Sequence, residues 1–417
     1  MQLAAIILAI LVIVGLVVQS FQSLYLARLF RNYEPVFLED SGLPKCAVVL
    51  CLRGCDPGLE VHIEMLLDQD YPDYHVFFVV DHPADPALKI VKEILSRRQP
   101  ANASVRVVEN HPSTCSLMAN NHGTVLPELA KEFPVLALVD ADATTWSTWL
   151  RTLVTPLVNS ELTMVFGNRW YMPRASTFAS LSRFIWNYGS VQQMVFFKYP
   201  WGGSLAMKAE LALLPKFATD LKKSFGNDTP MYAIAHSAGM QVAFHPGIMV
   251  VNRETTRLPD FFRWISRQMV YGRLYHPTWP AVLATGIVTG LAIGLAIGIN
   301  LFNLLTLDWT SFGILTSALI AFWVVWVGFV FHLDRTISRM VCVRGEPRRW
   351  WSLSVAIKIF LVAPFVQFIF LAGLFQASFM RRVQWRGIDY EIKGPFNVRM
   401  VEYRPYGKVA EGDESIV

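Results

Sequence analysis

The chain has 417 residues, 53% of them hydrophobic and 17% charged, with a mean hydropathy of +0.36. That is too apolar for an ordinary soluble protein and too charged for one lying wholly in a bilayer, so a mixed architecture follows. The formal charge of +5 is modest and the basic residues gather beside apolar stretches, which favours anionic lipid headgroups over nucleic acid as a partner.

At the N-terminus, Leu3 to Val18 carries no charge, and the stretch continues through Gln19, Ser20, Gln22 and Ser23 to Leu26. That is long enough for the ~20 residues of a helical span. Only Met1-Gln2 precede it and no A-x-A follows, so an uncleaved anchor over residues 1–29 is expected rather than a secretory signal. Arg28 and Arg31 just beyond it place the N-terminus outside and the next domain in the cytoplasm, as in an integral protein of a bacterial inner membrane or its equivalent. The five cysteines (Cys46, Cys51, Cys55, Cys115, Cys342) are odd in number and lack C-x-x-C spacing, which fits reduced cytosolic thiols better than a disulfide frame or a zinc site.

Residues 44–256 have the composition of a globular domain in which short β-like runs alternate with helical stretches, the pattern of an α/β fold with a mostly parallel sheet. Strands are expected at Cys46 to Leu52, Tyr74 to Val80, Val105 to Val108, Pro134 to Val139 and Met164 to Phe166, and another at Gln241 to Phe244. Helices are expected from near Leu59, stopping before Asp70-Tyr71-Pro72, from about Ala87 to Arg98 and from Pro230 onward. Next comes a basic, aromatic stretch, 257–277, whose spacing predicts an amphipathic helix along the cytoplasmic leaflet. Residues 278–377 hold three apolar segments, Val282 to Leu305, Phe312 to Phe331 and Leu353 to Leu374. Arg335, Arg339, Arg344, Arg348 and Arg349 form a basic loop between the last two. The final segment contains Lys358, Pro364 and Gln367, and the tail at 378–417 contains Arg381, Arg382, Arg386 and Lys393. A plain crossing would put those charges outside, so a broken or re-entrant segment with a cytoplasmic tail is expected, ending in a frayed acidic terminus at Glu411, Asp413 and Glu414.

The chemistry concentrates at Asp140-Ala141-Asp142, which closes the apolar run from Pro134 to Val139. A buried strand ending on two carboxylates can aim both beyond its C-terminal edge, where open α/β sheets bind ligands, and the pair suits a hard divalent ion that also holds a diphosphate. The same tripeptide is also compatible with a plain turn.

Strand-end acids at Asp81 or Asp85, then Asp140-Ala141-Asp142, Trp201-Gly202-Gly203-Ser204 and Asp228, ahead of a basic aromatic stretch and terminal spans, resemble a membrane-bound family 2 glycosyltransferase. The nearest resemblance is to its ceramide glucosyltransferase-like branch, shared also by Asp68-Gln69-Asp70-Tyr71-Pro72 and Val383-Gln384-Trp385-Arg386-Gly387. The resemblance implies a GT-A-type nucleotide-diphospho-sugar transferase domain with transmembrane helices. It implies transfer of a hexose from a UDP-sugar to a lipid hydroxyl, ceramide-like or diacylglycerol-like, with Mg2+ or Mn2+ and inversion at the anomeric carbon. Asp81 and Asp85 would then contact the nucleotide, Asp142 would hold the metal with Asp140 beside it, and Asp228 would be the base. Gly202 and Gly203 would let the backbone approach the donor or acceptor, Arg263 and Arg267 would face the diphosphate, and Trp201 and Trp264 would line the acceptor site.

Departures from the family pattern stand beside this. The base reads Gly226-Asn227-Asp228-Thr229, with one carboxylate where the family usually has two, and Asn-Asp-Thr-Pro also serves as a helix cap. The Q/R-x-x-R-W signature has two competing registers, Asp260-Phe261-Phe262-Arg263-Trp264, which is preferred, and Trp264-Ile265-Ser266-Arg267-Gln268. A lysine usual before the acidic strand is missing, and Asn120, Asn121 and His122 stand in that stretch without an assigned role. His245 follows a strand but reads as structural more readily than as a ligand. A processive polysaccharide synthase, or a silent relative acting as a scaffold or sugar-nucleotide sensor, are the alternatives.

Overall fold

The computed structural model describes residues 2–347 and 351–406. Arg348 and Arg349 of the basic stretch, and Glu411, Asp413 and Glu414, lie outside the described residues.

Helix α1, Gln2–Arg31, is a single apolar rod. The domain beyond it runs β1 (Cys46–Leu52), α2 (Leu59–Leu67), β2 (Tyr74–Val80), α3 (Pro86–Arg98), β3 (Ala103–Val107), α4 (Leu117–Leu129) and β4 (Val135–Val139). It continues with α5 (Trp149–Val154), β5 (Leu162–Tyr171), α6 (Phe178–Phe197), β6 (Ser204–Lys208), α7 (Ala209–Ala212), α8 (Phe217–Leu221), α9 (Asp228–Ser237) and β7 (Gln241–Asn252). These strands form one sheet in the order β3-β2-β1-β4-β6-β5-β7, mostly parallel, with β6 antiparallel to both its neighbours. Strands β1, β2 and β4 are covered on both faces, which is why they read as unbroken Val, Leu and Phe runs.

Strand β5 is longer than the expected Met164 to Phe166. A register shift at Gly167 bends it, and pairing with β7 resumes at Asn168 and Arg169. Only glycine serves there, because a Cβ would lie 1.9 Å from the Ile248 carbonyl oxygen.

After β7 come α10 (Leu258–Tyr275), α11 (Trp279–Leu305), α12 (Trp309–Cys342) and α13 (Leu353–Phe379). Helices α1, α11, α12 and α13 are each long and apolar enough to cross a membrane. Helix α12 runs straight through Arg335 and Arg339, which were expected in a loop. Its 34 residues span ~51 Å at the usual rise, beyond a ~30 Å hydrocarbon core, so its last turns rest on the α/β domain. There Asp334 accepts hydrogen bonds from Trp170 Nε1 at 2.9 Å and Trp351 Nε1 at 2.7 Å.

The expected break in the last segment is absent. Helix α13 is continuous with Pro364 inside it, and both its ends meet the α/β domain. Trp351, just ahead of it, packs on Phe184 of α6 with centroids 5.1 Å apart. At its far end Arg273 of α10 donates to the carbonyls of Ala377 at 2.6 Å, Ser378 at 3.0 Å and Met380 at 2.8 Å. The basic tail follows it. That tail is ordered into an antiparallel sheet of β8 (Arg382–Trp385), β9 (Ile388–Gly394) and β10 (Asn397–Met400), which the sequence reading did not anticipate.

Membrane helices and the α/β domain share one apolar core, in which Leu26 and Phe30 of α1, Phe184 and Tyr188 of α6, and Trp326 and Val330 of α12 are all buried. The domain is thus not a separable head on a stalk.

Candidate active site

A cavity of about 980 Å³ opens over the C-terminal ends of β1, β2, β4 and β5. This is where a doubly wound sheet presents backbone and side chains to a ligand. Asp140 and Asp142, on the turn after β4, both line it, and so does Asp228 at the start of α9. The expected metal-binding and base carboxylates therefore share one space.

Arg169, carried into the cavity by the bulged end of β5, bridges the acidic pair. Its Nη1 donates to Asp142 Oδ2 at 2.8 Å and its Nη2 to Asp140 Oδ2 at 3.2 Å. The guanidinium also lies 4.7 Å from the Trp201 ring centroid, a cation–π distance. Burial pushes the Asp140 carboxyl up to about 7, with Asp142 adding to the effect and Arg169 opposing it. Its side chain nonetheless keeps 26% of its surface open to the cavity.

Asp228 is held from two sides. Oδ2 accepts from Gly202 N at 2.9 Å, and Oδ1 accepts from Thr229 N at 2.6 Å and Thr229 Oγ1 at 3.0 Å. Burial raises its pKa above the ordinary carboxyl value, against the pull of those donors. Gly202 and Gly203 do not line the cavity. Their close approaches are to protein: a Cβ on Gly202 would lie 2.7 Å from Asn227 Nδ2, and one on Gly203 would lie 2.1 Å from the Trp201 ring and 2.5 Å from Asp140 Oδ2. The glycines seat the carboxylates and Trp201.

Two other expected site residues are placed away from the cavity lining. Asp85 lies outside the cavity, capping α3 through Ala87 N at 2.9 Å and accepting from Gly54 N at 3.0 Å, as the Asp85-Pro86 pair allows at a helix start. Arg263 also lies outside, with 61% of its side chain exposed, and pairs with Asp260 at 2.5 Å. The cavity is instead reached by Trp264, Arg267 and Gln268, the less favoured register. Arg267 is half-buried, its Nε buried without a partner among the described residues, and desolvation lowers its pKa from the ordinary value.

Asp81 lines the cavity with Oδ2 engaged by Arg53 Nη1 and by the Tyr403 hydroxyl at 3.1 Å, while Oδ1 is buried without a partner. Trp201 and Trp264 both line the space. Trp264 packs edge-on against Trp186 at 5.2 Å, and from there the wall turns apolar through Met194, Met269 and Val282 of α11. His245 is elsewhere, facing Tyr33 in a second cavity of about 720 Å³. Asn121 lines the main cavity, whereas Asn120 donates to Asn110 O at 2.7 Å and His122 approaches Cys51 Sγ at 3.4 Å.

A family model described as glycosyl transferase family 21 matches residues 7–395. The chain belongs to glycosyl transferase family 21. It is therefore a glycosyltransferase, with an α/β domain of GT-A type joined to candidate membrane-spanning helices. Among solved structures this family 21 chain is similar to the mannosyltransferase PcManGT from Pyrobaculum calidifontis in complex with GDP-Man and Mn2+. The identity is 14% over 89% of this chain and 99% of that one, with a TM-score of 0.45. It is also similar to GalNAc-T7 with UDP, GalNAc and Mn2+, at 13% identity over 58% and 55% and a TM-score of 0.36. A third likeness is to glucosyl-3-phosphoglycerate synthase of M. tuberculosis, at 16% identity over 56% and 82% and a TM-score of 0.33.

Sequence reasoning gave no role to several residues at the family 21 site. Arg169 sits in Gly167-Asn168-Arg169-Trp170, and a cation at a strand end next to an acidic strand end was the available signal. Arg386 and Trp385 reach the cavity from the tip of the β8–β9 hairpin, where Arg386 Nη2 donates to Asp56 Oδ1 at 2.6 Å and Nη1 to Arg53 O at 3.1 Å. Arg53 answers through Nε to Arg386 O at 3.1 Å and Nη2 to Arg404 O at 2.6 Å. Arg386 has φ +49° and Gly387 φ +74°, the left-handed pair that a two-residue hairpin turn requires.

The carboxylate pair offers the hard oxygen donors a divalent ion takes. Among the described residues no cluster of three or more His, Cys, Asp or Glu forms a metal centre, so an ion here would need further oxygens from a bound diphosphate.

Proposed function

We propose that this chain transfers a hexose from a UDP-sugar to the hydroxyl of a membrane lipid, ceramide-like or diacylglycerol-like, with Mg2+ or Mn2+ on the donor. The observation that carries this reading is the mixed lining of one cavity, where carboxylates and arginines share the wall with an apolar set, Trp186, Trp264, Met194, Met269 and Val282 of α11. The first suits a nucleotide diphosphate and the second a lipid drawn sideways from the bilayer.

Asp142, with Asp140, would hold the ion, which when bound offsets charge on the departing diphosphate. Arg267, with an N–H unsatisfied within the protein, is aimed at the same anion. Asp81 Oδ1 is free to accept an N–H from the base. Asp228 would take the proton of the acceptor hydroxyl; its raised pKa makes it a stronger base than an exposed carboxylate, and its Gly202 and Thr229 donors fix its direction. Inversion at the anomeric carbon, with Asp228 as the base, is what the resemblance implies. Trp201 and Trp264 would bound the acceptor, α1 would anchor a cytoplasmic domain at 44–256, and α10 would lie along the leaflet.

The test is purified protein in lipid with Mg2+ or Mn2+ and a panel of labelled nucleotide sugars, its products separated by chromatography. A glycolipid bearing one sugar is expected. Asp142→Ala should abolish it and Asp228→Asn should lower the rate about 10²–10⁴-fold. A long polymer would establish a processive synthase, and donor binding without turnover a silent relative.

A further inference from the structure

We propose that Arg169 is the resident cation of the Asp140–Asp142 pair, and that a divalent ion occupies those carboxylates only by displacing it, in company with a diphosphate. The inference rests on the sugar-transfer reading for the identity of that diphosphate; the competition itself rests on geometry. One guanidinium reaches an oxygen of each carboxylate, at 2.8 and 3.2 Å, so the space between them is taken. The side chain is pinned rather than loose: only 15% exposed, with Trp201 on its face and a backbone fixed by the β5–β7 pairing at Arg169 and Val250.

Charge decides between two roles for it. The cavity as a whole is balanced: Glu254 and Glu346 join its five aspartates, and Arg174, Arg183 and Arg253 join Arg53, Arg169, Arg267 and Arg386, seven formal carboxylates to seven guanidinium groups. A diphosphate brought into that neutral lining adds uncompensated negative charge unless a dication comes with it, and Arg169 is already engaged by the acidic pair, so it does not replace the ion. It guards the pair when the donor is absent, keeping two like charges from facing each other unpaired. An ion arriving alone must break a forked, charge-assisted contact and finds only two protein carboxylates in return. An ion arriving with a diphosphate gains further oxygen ligands, and the anion gains a displaced guanidinium nearby. Metal and nucleotide binding are then linked, and each raises the affinity of the other by the same factor.

The measurement is Mn2+ binding to the full-length protein in nanodiscs, read from the paramagnetic resonance signal of free Mn2+, with no sugar transfer involved. In the wild type, UDP should raise Mn2+ affinity at least tenfold. Without UDP, Arg169→Gln should bind Mn2+ at least tenfold tighter than the wild type, and Asp142→Asn in the same chain should remove the gain. Equal Mn2+ affinity of the wild type with and without UDP overturns the proposal, needing no variant. So does an Arg169→Gln protein that melts at the wild-type temperature yet binds Mn2+ within twofold of the wild type. If no sugar is transferred while the Mn2+ differences hold, the sugar-transfer reading fails and this inference stands.

Discussion

Arg263 and Arg267 are one helical turn apart on α10, yet their fates differ. Asp260, four-fifths or more buried at the helix start, draws Arg257 and Arg263 to itself at 2.7 and 2.5 Å and keeps them at the surface. Arg267 lines the cavity instead, with its Nε without a partner among the described residues. Arg267→Ala should therefore cost kcat/KM for the donor about 10²-fold or more, as loss of a buried donor to a developing anion does. Arg263→Ala should stay within about twofold, because exposed ion pairs contribute little. Asp140 gives opposite pH signs for stability and for activity. Its folded pKa of about 7 lies above the ordinary carboxyl value, so the native protein holds an extra proton between roughly pH 4 and 7. Stability should fall as pH rises through that window, and Asp140→Asn should flatten the fall in thermal melting. Transfer should rise over the same range, because the ionised pair is the form that attracts a cation. A pH–rate profile without an acid limb near 7 would count against the assignment.

At the level of single elements, Gly167 is the most exposed to test. A Cβ there would meet a backbone oxygen that cannot swing aside, so Gly167→Ala should cost ~3 kcal/mol or more in denaturant unfolding and misplace Arg169 with it. Elements were legible where burial and sequence pattern agree. Strands β1 and β2 are apolar on both faces, and α10 alternates Phe261, Ile265 and Met269 with its arginines. Helix α4 was not legible, because it turns Asn120, Asn121 and His122 inward, where distant partners such as Asn110 O and Cys51 meet the first and third. Helix α6 likewise buries Arg183, Asn187 and Gln192, which breaks its apolar stripe. In the site, Asp142, Asp228 and Arg267 lie on recognisable motifs and were named. Arg169 and Arg386 were not, because their roles come from contacts 27 and 330 residues away in the chain. Asp85 caps α3, as its Asp-Pro helix-start signal allows, while the strand-end reading competes for the same residue.

The whole molecule is closed by its own tail. Arg53 and Arg386 trade backbone and side-chain hydrogen bonds across 333 residues, and Tyr403 holds Asp81 while its ring stacks on His111 at 3.8 Å. A chain ending after Phe379 keeps all four apolar helices but loses these partners, so it should still insert while binding UDP at least tenfold more weakly in calorimetry. Unchanged binding would show the tail to be packing only.

That closure also sets an order in time. The turn after β1 uses Gly54 because the Tyr406 ring occupies the place of a side chain, 2.2 Å from where a Cβ would stand. A nascent chain therefore exposes the first strand early and completes its ligand loop only once β8 to β10 and Tyr406 have been synthesised, so the loop's cover is a late product of a turn made early.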